Sequence, residues 1–333
     1  MFETIYIEEA VDRHPRVAGI VARFPNATII PCKRYTEIFN RKAQNFRLQK
    51  HRPALILAEK FSNFILQAPD SYGIGSENNF YFSHMLNCIY DCRYCFLQGM
   101  YRSAHYVLFV NYETFAAAIT AKILELPGQE CHFFSGYDCD SLALEPVTGF
   151  VENFLPIFRR HPQCRFELRT KSTQIRSLLA TDPLDNVIIA YSFTPGGIAA
   201  ALEHKTPNPE RRLECMRRLQ SHGWRLGLRF DPIIYEDTYR DQYRQLFSTL
   251  FTQLDIGRLH SVSMGSFRLP KAFFRTMTRL YPDEVLFASP LEDKAGMFSY
   301  RQPIQEQMLR FCRDEILKYV PEQLFFSCET VME

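Results

Sequence analysis

From residue 79 onward the chain alternates strand-like and helix-like segments, and this alternation most narrows what it can fold into. Asn79–Ser83 (NFYFS), His132–Ser135, Arg165–Lys171, Val187–Phe193, Arg225–Ile233 and His260–Phe267 read as strands. Between them Tyr112–Leu126, Val147–Arg160, Thr173–Ala180, Pro209–Ser221, Tyr239–Leu254 and Pro270–Tyr281 read as helices, with a last helix over Gln305–Tyr319. Asn208 can cap the Pro209 helix, and proline suits its first position. Six βα units in succession predict parallel strands joined by helical crossovers. A closed barrel takes about eight units, so six predict an α/β fold built on an open or partial (β/α)6 barrel. Chemistry in such folds sits at the C-terminal ends of the strands.

The strands carry two unlike faces. Phe166 and Leu168 alternate with Glu167, Arg169 and Lys171, and Leu226, Leu228 and Phe230 alternate with Arg225, Gly227, Arg229 and Asp231. Apolar faces pack under helices, which leaves charged faces to line the interior. Buried charge is unfavourable unless something polar meets it. Arg229 and Asp231 are read either as a contact to a bound molecule or as a structural Arg–Asp pair.

Ahead of the barrel, Ala27–Lys33 and Ala54–Lys60 read as short strands joined by a basic, polar connection. The turn-rich run Pro69-Asp70-Ser71-Tyr72-Gly73-Ile74-Gly75 marks a boundary. The expected organisation is therefore a small N-terminal α/β lobe, residues 1–75, and a partial barrel with a C-terminal extension, residues 76–333.

Ten cysteines occur, and seven of them (Cys32, Cys131, Cys139, Cys164, Cys215, Cys312 and Cys328) are scattered as buried small hydrophobes usually are. A disulfide framework is not expected of a long chain without an export signal. The other three, Cys88, Cys92 and Cys95, form C-x3-C-x2-C directly after the first barrel strand, where a catalytic loop belongs. Thiolates are soft anionic ligands suited to iron–sulfur clusters. Three of them hold three corners of a four-iron cube and leave the fourth iron open to an exchangeable ligand. Two other readings stand beside this one. The spacing i, i+4, i+7 puts all three cysteines on one helix stripe with Met85 and Ile89. A zinc ion could instead be held by the cysteines and His84 or His105, in a non-catalytic binding module.

Charge adds little. With 39 basic and 37 acidic residues the net charge is +2, and the basic pairs Arg159-Arg160, Arg211-Arg212 and Arg217-Arg218 read as solvated helix faces, so bulk electrostatics predicts no nucleic-acid partner. No apolar run approaches the roughly 18 residues of a membrane span. The acidic start, Met1 to Glu9, lacks the pattern of a secretory signal, so a cytoplasmic protein without membrane contact is expected.

The triplet with Tyr94 before its last cysteine, C-x3-C-x-Tyr-C, resembles the signature of the radical S-adenosylmethionine superfamily. That resemblance implies a [4Fe–4S] cluster on Cys88, Cys92 and Cys95 and reductive cleavage of S-adenosylmethionine to a 5′-deoxyadenosyl radical. It also implies a small electron carrier such as flavodoxin or ferredoxin as partner. More narrowly, Cys88–Gln98 (CIYDCRYCFLQ), Tyr106–Glu113 (YVLFVNYE), Thr170–Lys171, Tyr191-Ser192-Phe193 and Gly223–Pro232 are similar to the spore photoproduct lyase family, whose members reverse a thymine lesion in DNA. The likeness implies that Tyr94, Lys171 and Ser192 contact S-adenosylmethionine and that DNA is the partner. The family's hydrogen-donating cysteine aligns with Tyr137, and Cys139 follows two residues later. These two are the candidate catalytic residues. Phe96 stands where the family has a tyrosine, and Gly296-Met297-Phe298-Ser299 stands where it has Gly-Arg-Tyr-Gly. Phenylalanine has no O–H hydrogen to pass along a radical relay. The expected function is thus a lyase-type radical enzyme acting on a DNA photoproduct or related lesion. The alternative is the same radical chemistry on a tRNA, peptide or metabolite.

Overall fold

A computed structural model describes residues 2–69 and 73–328. Residues 70–72 of the expected boundary turn lie outside the described residues.

The strands in chain order are β1 (Thr4–Glu8), β2 (Thr28–Cys32), β3 (Leu55–Ala58), β4 (Leu66–Gln67), β5 (Asn78–Tyr81), β6 (Met85–Leu86), β7 (Asp91–Cys92), β8 (Tyr106–Phe109) and β9 (Cys131–Ser135). They continue with β10 (Cys164–Thr170), β11 (Val187–Ser192), β12 (Glu203–His204), β13 (Arg225–Ile233), β14 (Leu259–Ser266), β15 (Arg268–Pro270), β16 (Leu291–Lys294), β17 (Met297–Tyr300) and β18 (Phe325–Ser327). The main sheet has the order β18-β14-β13-β11-β10-β9-β5-β4. Its six central strands are the six read from the sequence, and every pairing among them is parallel. β18 extends that run in parallel, while β4 closes the other edge antiparallel to β5. β4 and β18 are not hydrogen-bonded to each other, so the barrel is partial.

The helices are α1 (Pro15–Val21), α2 (Phe46–His51), α3 (Leu97–Met100), α4 (Tyr112–Leu124), α5 (Glu145–Thr148), α6 (Phe150–Arg159), α7 (Arg176–Leu179), α8 (Gly196–Leu202), α9 (Pro209–His222), α10 (Tyr239–Gln253), α11 (Lys271–Leu280) and α12 (Gln302–Ile316). The one helix expected over Val147–Arg160 is two, because Gly149 takes a left-handed conformation between α5 and α6. α9 forms as its sequence dictates. The Asn208 side chain accepts the Arg211 N–H at 3.0 Å, Pro209 opens the helix, and Gly223 with φ of 115° ends it. No helix among the described residues is long and apolar enough to cross a membrane.

The two-faced strands behave as expected. Phe166 and Leu168 are fully buried, and Phe166 stacks on Phe158 at 4.2 Å and on Phe82 at 5.7 Å. Glu167 and Arg229 face the interior instead and are also buried. Arg229 does not pair with Asp231. Its Nη2 donates to the Ser261 hydroxyl on neighbouring β14 at 2.8 Å and, reaching across the interior past β11, to Glu167 on β10 at 2.6 Å. Asp231, two residues further on, pairs with Arg268 at 3.4 Å.

A second sheet, β2-β1-β3-β8-β6, forms the N-terminal lobe. β3 and β8 pair in parallel from Leu55–Tyr106 to Ala58–Phe109, so a strand from beyond residue 75 completes the lobe's sheet. Arg16 adds a second tie by donating to the Val110 carbonyl, to Glu113 at 3.0 Å and to Asn153 at 3.0 Å. Two of the scattered cysteines are not free. Cys131 and Cys164 start β9 and β10 as register partners, with Cα atoms 5.0 Å apart, and form a disulfide. Parallel neighbours starting level bring the two side chains together, which the sequence order conceals.

Candidate active site

The C-terminal ends of the parallel strands converge on one cavity of about 190 Å³. β9 delivers Tyr137, Cys139 and Asp140 to its wall, and β10 delivers Arg169, Thr170 and Lys171. β11 contributes Ser192, β13 Asp231, and the end of β14 Ser266 and Arg268. The loop after β5 brings Cys88, Cys92, Tyr94 and Cys95. Cys88, Cys92, Cys95, Tyr94, Lys171, Ser192, Tyr137 and Cys139 therefore all line the same cavity.

Local chemistry fixes the cysteine loop. Asn87, with φ of 73°, turns the chain out of β6, and its amide donates to the Ser103 and His105 carbonyls at 3.0 and 3.1 Å. Its oxygen accepts the Cys88 N–H at 3.0 Å. Cys92 lies in β7, which pairs antiparallel with β12, and the Cys95 N–H closes a turn onto the Cys92 carbonyl at 3.1 Å. α3 follows and packs on α11. Gly99 makes that possible, since a Cβ there would meet the Phe273 backbone at 2.6 Å.

This geometry overturns the helix-stripe reading, because Cys88 and Cys92 sit in a turn and a short strand. It also leaves the zinc reading without a fourth ligand. His105 accepts the Ala54 N–H at 3.0 Å, and His84 stacks on Phe150 at 4.1 Å; neither lines the cavity. Among the described residues no three His, Cys, Asp or Glu side chains close about a single metal ion. The three cysteines line the wall of the cavity instead. Burial pushes all three up, Cys92 to about 12, and a bound cation would offset that penalty. Three soft donors on one cavity wall, unshared with any histidine, fit a cluster.

The cofactor-contact candidates are held by buried groups the sequence did not reveal. The Tyr94 hydroxyl donates to Glu203, whose carboxylate also accepts from Thr194 at 3.0 Å and from Arg212. Arg212 further donates to the Ser192 carbonyl at 3.1 Å. Burial acts to raise the Glu203 pKa, but Lys171 and Arg212 beside it prevail and hold it below the usual carboxylate range. The Lys171 ammonium lies 5.5 Å from the centre of the Tyr94 ring. Asp140 sets the Lys171 backbone by accepting its N–H at 2.7 Å, and accepts the Thr170 hydroxyl at 2.7 Å. Arg212, expected on a solvated helix face, is instead fully buried and pairs with Glu203 where α9 meets β12.

Tyr137 stacks on Tyr81 at 4.3 Å and lies 5.5 Å from Phe96, which makes an aromatic wall. The Cys139 thiol sits 4.0 Å from His84 Nδ1. Opposite in character are Arg169, bonded to Glu167 at 3.1 Å, and the Asp231–Arg268 pair. Met297 and Phe298 fall in the β16–β17 hairpin, where Phe298 stacks on Phe274 at 4.0 Å, and they do not line the cavity.

Comparison with known proteins gives a consistent set of likenesses. Residues 78–320 match the family model described as Spore photoproduct lyase. The spore photoproduct lyase of Clostridium acetobutylicum is 22% identical over 217 residues, which are 65% of this chain and 63% of that protein. The chain thus matches under two thirds of that relative's length. The spore photoproduct lyase of Geobacillus sp. (strain Y412MC61) is 22% identical over 244 residues, 70% of this chain and 72% of the relative. Among solved structures, a spore photoproduct lyase double mutant with bound AdoMet and dinucleoside spore photoproduct aligns with a TM-score of 0.84 at 16% identity, covering 99% of both chains. Another, complexed with dinucleoside spore photoproduct, aligns at 0.83 and 17% identity over 99% of this chain and 98% of that one. At that identity the structural likeness establishes the fold, a partial barrel.

Proposed function

The chain belongs to the spore photoproduct lyase family, and from that premise we propose that it is a radical S-adenosylmethionine enzyme acting on a damaged or modified nucleic acid. The observation that carries this reading is the convergence of Cys88, Cys92 and Cys95 with Tyr94, Lys171 and Ser192 on one cavity at the strand ends. When bound, the cluster supplies the electron that splits S-adenosylmethionine into methionine and the 5′-deoxyadenosyl radical.

The chain's own residues do the rest. Cys88, Cys92 and Cys95 hold the cluster. Lys171 offers an ammonium to the cofactor carboxylate, and Ser192 offers a hydroxyl to its ribose. Glu203 and Arg212 position Tyr94 and the Ser192 backbone from beneath. The rings of Phe96 and of Tyr137, the latter backed by Tyr81, suit the face of a base turned out of its stack. Arg169 and Arg268 suit an anionic group such as a phosphate. Tyr137 and Cys139 are the candidates to return a hydrogen atom to the product.

A second reading, the same chemistry on a tRNA, peptide or metabolite, is favoured by one observation. Tyr137 occupies the donor position and Phe96 has no O–H, so the family's usual relay lacks two members. The two readings separate in one assay. Anaerobically reconstituted protein is incubated with S-adenosylmethionine, dithionite and a dinucleoside spore photoproduct. A lyase that regenerates its cofactor yields repaired dinucleoside and little free 5′-deoxyadenosine per turnover. Stoichiometric 5′-deoxyadenosine without repair would transfer the site to another substrate. Absence of iron uptake would defeat both readings.

A further inference from the structure

The deep end of the active-site cavity carries an ion group that the cysteines and the cofactor contacts leave unused. Arg169 stands two residues before Lys171 on the same face of β10, so it lies one level further into the barrel. Arg169 and Arg268 are the cations whose charge acts on Tyr137, whereas Lys171 acts on Cys92 and Cys95. The cavity therefore has two ends, one at the cysteine loop and one at Tyr137.

At the Tyr137 end one carboxylate serves two guanidiniums. Glu167 Oε1 accepts from Nε and Nη2 of Arg169 at 3.1 Å each and from Nε of Arg229 at 3.1 Å. Arg229 is fully buried and spends its other donors on Glu167 Oε2, the Leu228 and Ser261 carbonyls and the Ser261 hydroxyl. Arg169 is not spent. Its side chain stays 26% exposed and lines the cavity, and its Nη1 has no partner among the described residues. Arg268 and Asp231 pair on the same wall at 3.4 Å, laid over Gly265, where a Cβ would meet Arg268 Nη1 at 2.8 Å and Asp231 Oδ1 at 2.9 Å. Three guanidiniums thus face two carboxylates. His132 and His260 beside them add no charge at neutral pH, since burial pushes their pKa values down to about 3 and about 4. One positive charge is left over, and Arg169 presents it to the cavity.

We propose that Arg169, flanked by the Asp231–Arg268 pair, is a subsite for a single negative charge of the substrate, the phosphodiester that joins the two nucleosides of a lesion. The assignment rests on the nucleic-acid reading above and names the group that orients the lesion in the cavity. A guanidinium left uncompensated in a partly buried site is relieved by one anionic charge. A phosphodiester carries one, and its unbridged oxygens accept charged N–H donors. A terminal phosphate, close to doubly charged at neutral pH, would leave the group negative. The Tyr137 ring at the same end gives the adjoining base a face to lie on, which a plain carboxylate would not use.

The test is equilibrium binding, by anaerobic calorimetry, to iron-loaded protein with S-adenosylmethionine and no reductant, so that nothing turns over. The probes are spore photoproduct as a dinucleotide, with its phosphodiester, and a twin whose linkage is a neutral methylphosphonate. Wild type should bind the charged probe about tenfold or more tightly than the twin. Arg169→Gln should weaken the charged probe by about that factor and leave the twin unchanged, and Arg169→Lys should restore part of the difference. Equal affinity of the two probes for wild type would overturn the subsite, and that comparison needs no variant to fold. Equal loss of both probes in Arg169→Gln would overturn it too, because it marks a residue that only shapes the cavity. Failure of wild type to bind either probe would defeat the nucleic-acid reading together with the subsite.

Discussion

Single residues decide the chemistry, and three substitutions bear on it. Cys92→Ala removes one of three thiols and should abolish iron retention and cofactor cleavage while far-UV circular dichroism stays native. Retained iron at wild-type stoichiometry would contradict the cluster assignment. Tyr137→Phe keeps the stack on Tyr81 and removes only the O–H. It should leave 5′-deoxyadenosine release intact and suppress completed product; unchanged product would leave Cys139 as the donor. Glu167→Gln leaves Arg229 and Arg169 facing a neutral group inside the barrel, where burial opposes the Glu167 charge but the two arginines hold its pKa well below the usual range. Breaking such a buried pair costs about 3–5 kcal/mol, measurable as a lowered urea midpoint. That Cys88, Cys92, Cys95, Lys171 and Ser192 share one cavity was legible because cysteine spacing and strand ends are visible in one dimension. Glu203, Arg212 and the partner of Arg229 were not, since each acts through a contact between segments far apart in sequence.

Secondary elements carry the next level of prediction. α6 begins immediately after left-handed Gly149, and its first turn is capped by the buried carboxylate of Glu145, which accepts the Val151 N–H at 3.1 Å. Burial pushes the Glu145 pKa up to about 7, although that hydrogen bond pulls the other way. The folded value exceeds the unfolded one, so the folded protein holds the extra proton. Stability is then fullest below about pH 4.5 and declines as pH rises through 7, by about 3 kcal/mol from this group. Glu145→Gln keeps an accepting oxygen and should flatten that part of the stability–pH profile; an unaltered slope would acquit Glu145. Gly99→Ala tests a different contact. It drives a methyl group into the Phe273 backbone and should destabilise by about 1–3 kcal/mol through separation of α3 from α11. Elements with strong periodicity, such as α9, α10 and the six barrel strands, could be read in advance. The break at Gly149 and the β16–β17 hairpin could not, because a lone glycine and short polar strands are set by their surroundings rather than by their own pattern.

At the scale of the molecule, the two sheets depend on one another. Residues 1–75 read as a separate lobe in sequence, yet β8 lies between β3 and β6 in that lobe's sheet. Deleting residues 1–60 would strip β8 of its parallel neighbour and uncover Val107 and Leu108, which are fully buried. The truncated chain should be recovered insoluble where the full chain is soluble; a soluble, cooperatively melting fragment would show the barrel to be self-sufficient. The unfinished ring of strands has its own consequence. Its two edges meet through Ile74, Ala68, Phe134, Tyr81 and Phe326, not through a ladder of hydrogen bonds. Greasy contacts without direction can slide where paired amides would snap, so this seam is the slackest line of the wall, and amides of β4 should exchange with deuterium well before those of β10. Tyr81 belongs both to the seam and to the stack on Tyr137. Any molecule wide enough to part the staves would therefore announce itself at the Tyr137 ring as well.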